Sequence, residues 1–413
     1  MNTRKRVIFI LSDTPDYREL EWLMPYIGGF HFRGFEVEVL FHNKPNSERT
    51  KIMCEWVKKY ASCFYVDDFD SFANRHSVIF KLRKQSGILS KIVRPYTDFN
   101  HRYGKMIGLS QWRWRKIAAN LANWFDGASA CFITNEPADS DPLSAQRLTT
   151  LTAVSSGLPM LWVHCGMGEV ASNKIKPHTN HVLLVFSPQQ QSEAEASGRN
   201  ALSLGAQRYN LEWLNEIERC FDNEFDVAPP KLPADKKTVL VIIKNEYSLV
   251  WDGLDFEEET MKMFDDLIKQ NCFMVVKPHP GQDLELLVKL LKKLPNECYL
   301  LEHRPLAYWI SKVDECFAQL SSGALESFVL EKPCTIYDPI DSFELGNAEK
   351  SEHNLTPGEY VSTHLQSWAP KSTQTSTVGE QENDGFKTFR NRFCFDKSWP
   401  KALDSCERFF VND

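Results

Sequence analysis

The stretch from Arg6 to Ser12 reads RVIFILS, and Glu36 to His42 reads EVEVLFH. The first is a continuous apolar run, typical of a strand buried on both faces of a parallel sheet, and the second alternates like a further strand. Between them, Tyr17 to Phe32 predicts a helix, which Pro25 and Gly28-Gly29 are expected to kink or interrupt. Strand, helix and strand form one βαβ unit, which predicts a doubly wound α/β fold.

The same pattern is expected to occur twice along the chain. Residues 226–237 contain three prolines and end in charged residues, which predicts a linker. Strand candidates lie on both sides of this linker, at Cys63–Val66, Ala130–Asn135, Met160–His164, Val182–Ser187, Thr238–Ile243, Cys272–Lys277, Tyr299–Glu302, Glu315–Gln319 and Cys334–Tyr337. We therefore expect one domain over residues 1–225, a second over residues 238–345, and a C-terminal segment over residues 346–413 that packs back on the rest.

Composition excludes several classes of protein. The 413 residues are 42% hydrophobic and 25% charged, which is typical of a globular chain. The formal net charge of -7 argues against a dedicated nucleic-acid binder. No apolar run approaches the ~18 residues that span a bilayer, and the N-terminus lacks the features of a signal peptide. The 11 cysteines include no Cys-x-x-Cys pair, which favours reduced thiols and a cytoplasmic location.

One short motif lies where a buried strand is expected to end. Lys277-Pro278-His279-Pro280 closes the strand Cys272–Lys277 and precedes a predicted helix. Ligands of open α/β sheets bind outside the carboxyl ends of the strands. An imidazole held there by two prolines can donate to a phosphate oxygen, or protonate one as it leaves. We predict that His279 does so; a rigid turn with an exposed histidine is the alternative.

A second motif lies at another strand-to-helix turn. Ser321, Ser322 and Gly323 follow the strand Glu315–Gln319 and open a helix. Backbone N–H groups, side-chain hydroxyls and the helix dipole all favour a phosphate at such a helix N-terminus. Glu326, one turn further on, can accept hydrogen bonds from ribose hydroxyls. An ordinary serine N-cap is the alternative.

Together the two motifs resemble the nucleotide-binding half of GT-B glycosyltransferases that build bacterial surface polysaccharides. The pair is similar to that of sialyltransferases and capsular Kdo transferases, which use CMP-activated sugars, and similar pairs occur in CDP-glycerol polymerases of teichoic acid. The resemblance covers roughly residues 200–340. It implies a GT-B-like α/β fold, with two Rossmann-type doubly wound domains facing an interdomain cleft. It also implies that a nucleotide-sugar donor is bound by Lys277, His279, Ser321, Ser322, Gly323 and Glu326.

Sugar transfer also requires a group that removes the proton of the acceptor hydroxyl. The sialyltransferase pattern supplies an acidic pair before a glycine, but this chain has only Asp252 before Gly253. The base is therefore expected among acidic or imidazole side chains at strand ends of the first domain, namely Asp13, Glu136, His164 and Glu169. Asp13 is our first choice as the catalytic base, because it follows the first strand directly; a helix cap is the alternative.

No metal or other cofactor is expected. Asp139-Ser140-Asp141 has the spacing that holds a divalent ion with a sugar nucleotide in a different transferase fold. A capped loop is the favoured interpretation, because His279 and the serine pair are available for the phosphates.

Acceptor-binding residues are expected on the first domain. The stretch from Lys81 to Lys116 is rich in lysine, arginine and aromatic residues and contains a single acid, Asp98. It is interpreted as a basic insertion that binds an anionic glycan or a lipid-linked acceptor at the inner face of a membrane; a solvated helical insertion is the alternative. Gly205 to Arg208 also resembles a Gly-x-x-Arg segment at the domain junction of surface-carbohydrate proteins. The residues expected to contact the acceptor are Arg102, Arg113, Arg115, His164 and Arg208.

The sequence thus predicts a glycosyltransferase that moves a sugar, from CMP-Kdo or a CMP-sialic-type donor, to a surface polysaccharide or lipid-linked glycan. Three alternatives stay open: a CDP-polyol phosphotransferase, an isomerase of the UDP-GlcNAc 2-epimerase type, and a non-catalytic glycan-binding homologue. The leading interpretation depends on His279 and the Ser321-Ser322 pair converging on one phosphate.

Overall fold

The computed structural model describes residues 5–11, 17, 19–69, 108–134, 145–164, 181–225, 228–244, 246, 254–279, 282–319, 322–337, 366–368, 387–391 and 398–410. Within these ranges the chain forms two parallel β-sheets. We call residues 5–225 the first half and residues 228–368 the second half.

The first half is built on a seven-stranded sheet in the order β3-β2-β1-β4-β5-β6-β7, counted over the described residues. Its strands are β1 (Arg6–Ile10), β2 (Glu36–Phe41), β3 (Ser62–Tyr65), β4 (Ala130–Ile133), β5 (Met160–Val163), β6 (His181–Val185) and β7 (Ala201–Ser203). Its helices are α1 (Leu20–Phe32), α2 (Glu48–Lys58), α3 (Gly108–Phe125), α4 (Ala145–Ser155), α5 (Pro188–Ala196) and α6 (Leu211–Asn223).

The second half is built on a six-stranded sheet in the order β10-β9-β8-β11-β12-β13, again over the described residues. Its strands are β8 (Lys237–Ile242), β9 (Cys272–Lys277), β10 (Tyr299–Leu301), β11 (Glu315–Gln319), β12 (Cys334–Tyr337) and β13 (Gln366–Trp368). The helices are α7 (Phe256–Lys269), α8 (Leu284–Leu291), α9 (Leu306–Lys312) and α10 (Ser322–Val329), and α11 (Trp399–Glu407) follows near the C-terminus.

The central strand β1 shows why the sheets form. Its residues alternate between two faces, and both faces are apolar and buried. Val7 and Phe9 join a core that includes helix α1, whereas Ile8 and Ile10 join a second core with Leu121 of α3. A strand that is apolar throughout therefore needs a helical layer on each side, which is the three-layer arrangement of parallel sheets.

Helix α1 is one continuous element, so Pro25 and the glycine pair do not interrupt it, and of the expected kink or interruption the interruption was wrong. The glycines serve packing instead. A Cβ atom on Gly28 would lie 2.6 Å from the ring of Trp213, and one on Gly29 would lie 2.5 Å from Leu403. The absence of side chains at these two positions lets α6 and α11 lie close against α1.

The halves are held together by a shared apolar core and by the C-terminal helix. One continuous cluster of buried residues contains Trp213 from the first half together with Leu240 and Tyr308 from the second. Helix α11 packs on α1, where the indole N–H of Trp399 donates to the carbonyl oxygen of Pro25 at 2.8 Å. The chain therefore crosses back to the first half after completing the second.

Each sheet has the Rossmann order, with its first strand in the middle and the order reversing beside it. The prediction of two Rossmann-type doubly wound α/β halves is confirmed. Nine cysteines lie in the described ranges, all as free thiols and eight of them buried. Of the helices that the structure describes, none combines the length and the apolar character that crossing a membrane requires.

Candidate active site

A cluster of charged side chains lies where the carboxyl edges of the two sheets meet. Helices that follow parallel strands begin at these edges. Glu21 and Arg49 lie in the first turns of α1 and α2, Lys277 ends β9, and Glu326 lies in α10. Arg208 belongs to a short 3-10 turn after β7. We call these five residues the charged cluster; every one of them is buried.

Arg208 connects the two halves within this cluster. One terminal guanidinium nitrogen donates to Oε2 of Glu21 at 2.8 Å and to Oε2 of Glu326 at 2.9 Å. The guanidinium carbon lies 4.4 Å from the ring centroid of Trp22, so the cation is stacked on an indole face. The sequence predicted an acceptor contact for Arg208. Its side chain is 8% exposed, so an acceptor reaches it only if the cluster opens.

The other oxygen of Glu21 is bound by a second arginine. Arg49 donates to Oε1 of Glu21 at 3.2 Å. The charges of Arg208 and Arg49 hold the pKa of Glu21 below its ordinary value, against the effect of burial. The carboxylate of Glu21 is therefore ionised at neutral pH and anchors both arginines.

Lys277 is the member of the Lys-Pro-His-Pro motif that belongs to the cluster. Its ammonium group donates to the carbonyl oxygen of Arg304, and the side chain is buried. Burial, followed by the charge of Arg49, lowers the pKa of Lys277 to about 7. The amine thus titrates near neutral pH. Its predicted contact with a donor requires the surrounding side chains to move.

Glu326 is the member contributed by the serine-glycine motif. Burial raises its pKa to about 7, although the charge of Arg208 acts in the opposite direction. Its carboxylate is 6% exposed and accepts from Arg208, so it does not face solvent where a ribose would bind. Lys277 and Glu326 affect each other's pKa. Each motif therefore contributes one charged residue to the same buried cluster.

His279 lies two residues beyond the cluster, after the end of β9. Its side chain is half-buried, and its carbonyl oxygen accepts from the backbone N–H of Gln282 at 3.0 Å. The carboxylate of Glu246 lies 3.4 Å from the backbone nitrogen of Asp283. The segments after β8 and β9 are thus linked beside His279.

The serine-glycine motif is described in part. Ser321 lies outside the described residues, and Ser322 is described only as the first residue of α10. Gly323 is buried, and a Cβ atom on it would lie 2.8 Å from Ile242 of β8. The glycine is therefore required for close packing of α10 on the sheet, whatever it contributes to a ligand. Binding of the donor by these three residues stays a prediction.

His164 lies on the same side of the molecule as the cluster. It follows β5, and its ring centroid is 5.5 Å from that of Phe186. Phe186 stacks on Trp22 at 4.9 Å, and Trp22 carries Arg208. A chain of rings therefore connects this candidate base to the charged cluster.

The other predicted residues of the first half lie on α3 or outside the described residues. Arg115 is exposed on α3, the helix behind the sheet, and Arg113 is described there only as part of the helix. Asp13, Arg102 and the Asp139–Asp141 segment lie outside the described residues, as do the base candidates Glu136 and Glu169. Their predicted roles stay predictions.

Three residues of this region were missed by sequence reasoning. Glu21 and Arg49 lie in the first turns of helices that follow buried strands. Arg49 carried a weak signal in the sequence, because a cation at a helix N-terminus is unfavourable next to the helix dipole and so suggests another role. Lys244 follows β8, at the point between β8 and β11 where the strand order reverses. It is half-buried, and burial lowers its pKa. Its position suits a phosphate contact.

An open cavity of about 410 Å³ lies beside the cluster. It lies between α2 and the segment after β10. Two of its lining residues adjoin the cluster: Glu48 precedes Arg49 in the chain, and the carbonyl oxygen of Arg304 accepts from Lys277. Apolar side chains from both halves form much of its lining, namely Ile52, Phe225, Leu300 and Leu301. Its size and mixed lining are typical of a site for a small organic ligand.

Comparison with known proteins finds distant structural similarity alone. No family model matches the chain, and no curated protein matches it. Among solved structures, S. aureus MnaA with UDP has a TM-score of 0.48 and 12% identity, covering 98% of this chain and 90% of that one. The wall teichoic acid polymerase TagF has a TM-score of 0.48 and 9% identity, covering 98% and 88%. Acinetobacter baumannii MurG has a TM-score of 0.45 and 10% identity, covering 98% and 100%. Similarities this distant say nothing about activity.

Proposed function

We propose that the protein is a glycosyltransferase that binds a nucleotide-sugar donor at the carboxyl edge of its second sheet. One observation carries this proposal. Arg208 joins Glu21 of α1, the helix after β1, to Glu326 of α10, the helix after β11, so the carboxyl edges of the two doubly wound sheets meet at this point. Ligands of such sheets bind outside the carboxyl edge, at the point where the strand order reverses.

The electrostatics of this edge favour an anionic ligand. The charged cluster combines two carboxylates with two arginines and Lys277. With every member ionised, the cationic charges exceed the anionic ones by one. An anion bound beside the cluster therefore favours the protonated form of Lys277. The N-terminus of α10 adds its backbone N–H groups and its dipole to the same edge.

The proposed chemistry assigns roles to residues of both halves. His279 stabilises the charge that develops on the departing phosphate, together with Ser321, Ser322 and the N-terminus of α10. A base on the first half, Asp13 or His164, removes the acceptor proton as the new bond forms. The cavity beside Arg304 offers room for part of the donor. We propose CMP-Kdo or a CMP-sialic-type sugar as donor, on the motif resemblance, and an anionic or lipid-linked glycan as acceptor.

A calorimetric binding experiment with CMP, CDP, UDP and GDP tests the donor class. We expect the tightest binding with CMP, followed by turnover of a CMP-linked sugar only when a glycan acceptor is present. A phosphodiester product from a CDP-linked donor would replace the proposal with polyol-phosphate transfer. Turnover of a UDP-sugar without any acceptor would indicate an isomerase, and binding of no nucleotide would exclude the proposal.

The substitution His279→Ala tests the mechanism. We expect kcat to fall by about 100-fold or more while the fold is retained, because one donor of charge stabilisation is lost. His31→Ala is the matched control, because His31 is an exposed histidine on α1. Its ring contacts in the described residues are with Phe32 and Tyr60. Near-normal turnover in His279→Ala, measured in a chain with an unchanged circular dichroism spectrum, would remove His279 from the mechanism.

A further inference from the structure

We infer that Arg208 is an interdomain positioning residue, which fixes helix α10 of the second half against helix α1 of the first. The observation is the bridge itself. A single guanidinium nitrogen donates to Glu21 of α1 and to Glu326 of α10, at 2.8 and 2.9 Å. Arg208 comes from a third element, the 3-10 turn that precedes α6. Three elements therefore meet at one side chain.

The bridge is rigid because Arg208 is held on several sides. Its guanidinium carbon lies 4.4 Å from the ring centroid of Trp22 and 5.1 Å from that of Tyr209. Trp22 is itself fixed by stacking on Phe186. A planar cation that is stacked and bound to two carboxylates has little rotational freedom, which a lysine ammonium would retain. Arg208 therefore constrains the positions of the two carboxylates in addition to neutralising their charge.

The two carboxylates depend on Arg208 to different degrees. Glu21 keeps a second partner, because Arg49 donates to its other oxygen at 3.2 Å. Within the described residues, Glu326 forms its ion pair with Arg208. Loss of Arg208 thus leaves the first half with an intact Arg49–Glu21 pair, while α10 loses its direct ion pair to the first half. The effect of losing Arg208 is therefore concentrated on the contact between the halves.

The position of Glu326 explains why this contact matters for a ligand. Glu326 lies one turn inside α10, and the first residue of that helix is Ser322. Holding Glu326 fixes the N-terminus of α10 relative to α1 and to His164 behind Trp22. In the terms of the proposed function, on which this step rests, Arg208 sets the distance between the donor phosphate and the acceptor side.

Distance measurements without any nucleotide test this inference. Spin labels are introduced as unnatural amino acids at Lys58 and Lys289, whose side chains are 50% and 66% exposed on the first and second half. We expect a narrow distance distribution in the parent chain and a clearly broader one in Arg208→Met. Arg219→Met is the matched control and should leave the distribution narrow, because Arg219 is exposed and its ion pairs among the described residues, with Glu216 and Glu224, lie within the first half.

A double variant keeps the test decisive if Arg208→Met alone fails to fold. Replacing both members of a buried ion pair by apolar residues is often neutral for stability, whereas replacing one member leaves the other as an unpaired buried charge. Arg208→Met/Glu326→Met should therefore regain the parent Tm but keep the broad distance distribution. A parent-like distribution in this stable double variant would overturn the inference, since the halves would then be positioned without the bridge.

The donor readout separates this inference from the proposed function. In the double variant we expect the KM for the donor to rise by about 10-fold. In the single variant Arg208→Lys we expect a smaller rise in KM, because a positive charge is kept but the planar guanidinium is lost. An unchanged KM would contradict the role in donor positioning. If no nucleotide binds to the parent chain, the proposed function fails, and the distance distribution still decides whether Arg208 positions the halves.

Discussion

At the scale of single residues, the protein places two groups that titrate near neutral pH in one buried charged cluster. Glu326 and Lys277 both have pKa values of about 7, Glu326 because burial disfavours its carboxylate and Lys277 because burial disfavours its ammonium. Surface residues of these types are fully charged at pH 7. The site can therefore gain or lose a proton as its surroundings change, which suits a place where a phosphate arrives and leaves.

The substitution Glu326→Gln should reveal this titration as a change in stability. The pKa of Glu326 is raised from 4.5 to about 7, so the folded chain retains a proton that the unfolded chain has lost. The stability due to that proton is present below pH 4.5 and disappears as the pH rises through 7. Relative to Glu326→Gln, the parent chain should lose up to about 3 kcal/mol of unfolding free energy over this range.

Urea unfolding of both chains at several values between pH 5 and pH 8 measures this difference. The charged groups that influence Glu326 are Arg208, Glu21, Lys277 and Arg49, and all of them are present in both chains. The charge of Glu326 raises the pKa of Lys277, so the parent chain also keeps the proton of Lys277 to higher pH, which acts in the same direction. A difference that is constant with pH, or that grows in favour of the parent chain, would contradict the raised pKa.

At the scale of elements, helix α10 is positioned from two sides. Its first turn packs on β8, where Gly323 lets the helix approach Ile242, and its second turn is bound by Arg208. Ser327 adds a hydrogen bond to the carbonyl oxygen of Gly323 at 3.0 Å, within the helix. The N-terminus of α10 is therefore held by its packing on β8 and by the ion pair between Glu326 and Arg208 of the first half. A helix end that binds a ligand through its backbone needs this kind of support.

The substitution Gly323→Ala tests the packing of α10 on β8. An added Cβ would lie 2.8 and 2.9 Å from two side-chain carbons of Ile242, which is too close for carbon atoms. We expect Gly323→Ala to lower the unfolding free energy by about 1–3 kcal/mol. Ile242→Ala removes both clashing carbons, so the double variant should be less destabilised than the sum of the single ones, by about 0.5 kcal/mol or more. Strict additivity in urea unfolding would show that the two residues do not clash.

At the scale of the whole molecule, the halves are joined more closely than two independent domains. The shared core runs from Trp56 through Phe221 to Tyr308, whose rings are 5.5 Å apart at each step. The hydroxyl of Tyr308 also donates to Asp222 at 2.6 Å. Helix α11 then returns to α1, where Arg33 pairs with Asp404 at 2.8 Å. An interface formed by a continuous apolar core and a returning helix makes it costly to separate the halves.

This construction predicts a single unfolding transition. Because one core serves both halves, we expect differential scanning calorimetry to show one peak whose calorimetric and van't Hoff enthalpies agree. Leu403→Ala in α11 removes a buried side chain that packs against Gly29, and it should cost about 2–5 kcal/mol. The whole transition should then move to lower temperature. Two resolved peaks, in either chain, would show that the halves unfold independently.

Much of the architecture follows from local sequence. Runs such as TVLVII at 238–243 and CFMVV at 272–276 are almost entirely apolar, which is typical of strands buried on both faces of a parallel sheet. The strands Cys272–Lys277, Glu315–Gln319 and Cys334–Tyr337 have the predicted bounds. The continuity of α1 was predicted wrongly, because the glycine pair is explained by Trp213 and Leu403, which are distant in the chain.

The sequence by itself determined the two Rossmann-type halves and the strand end after which His279 lies, because buried strands and the residues that end them are local features. Only the tertiary structure decided that Arg208 joins Glu21 to Glu326, since these partners are 187 and 118 residues away from it. It also decided that Lys277 and Glu326 are both buried in the charged cluster. The physical reason is that an ion pair depends on distance in space, and no local pattern records which distant helix will supply the opposite charge.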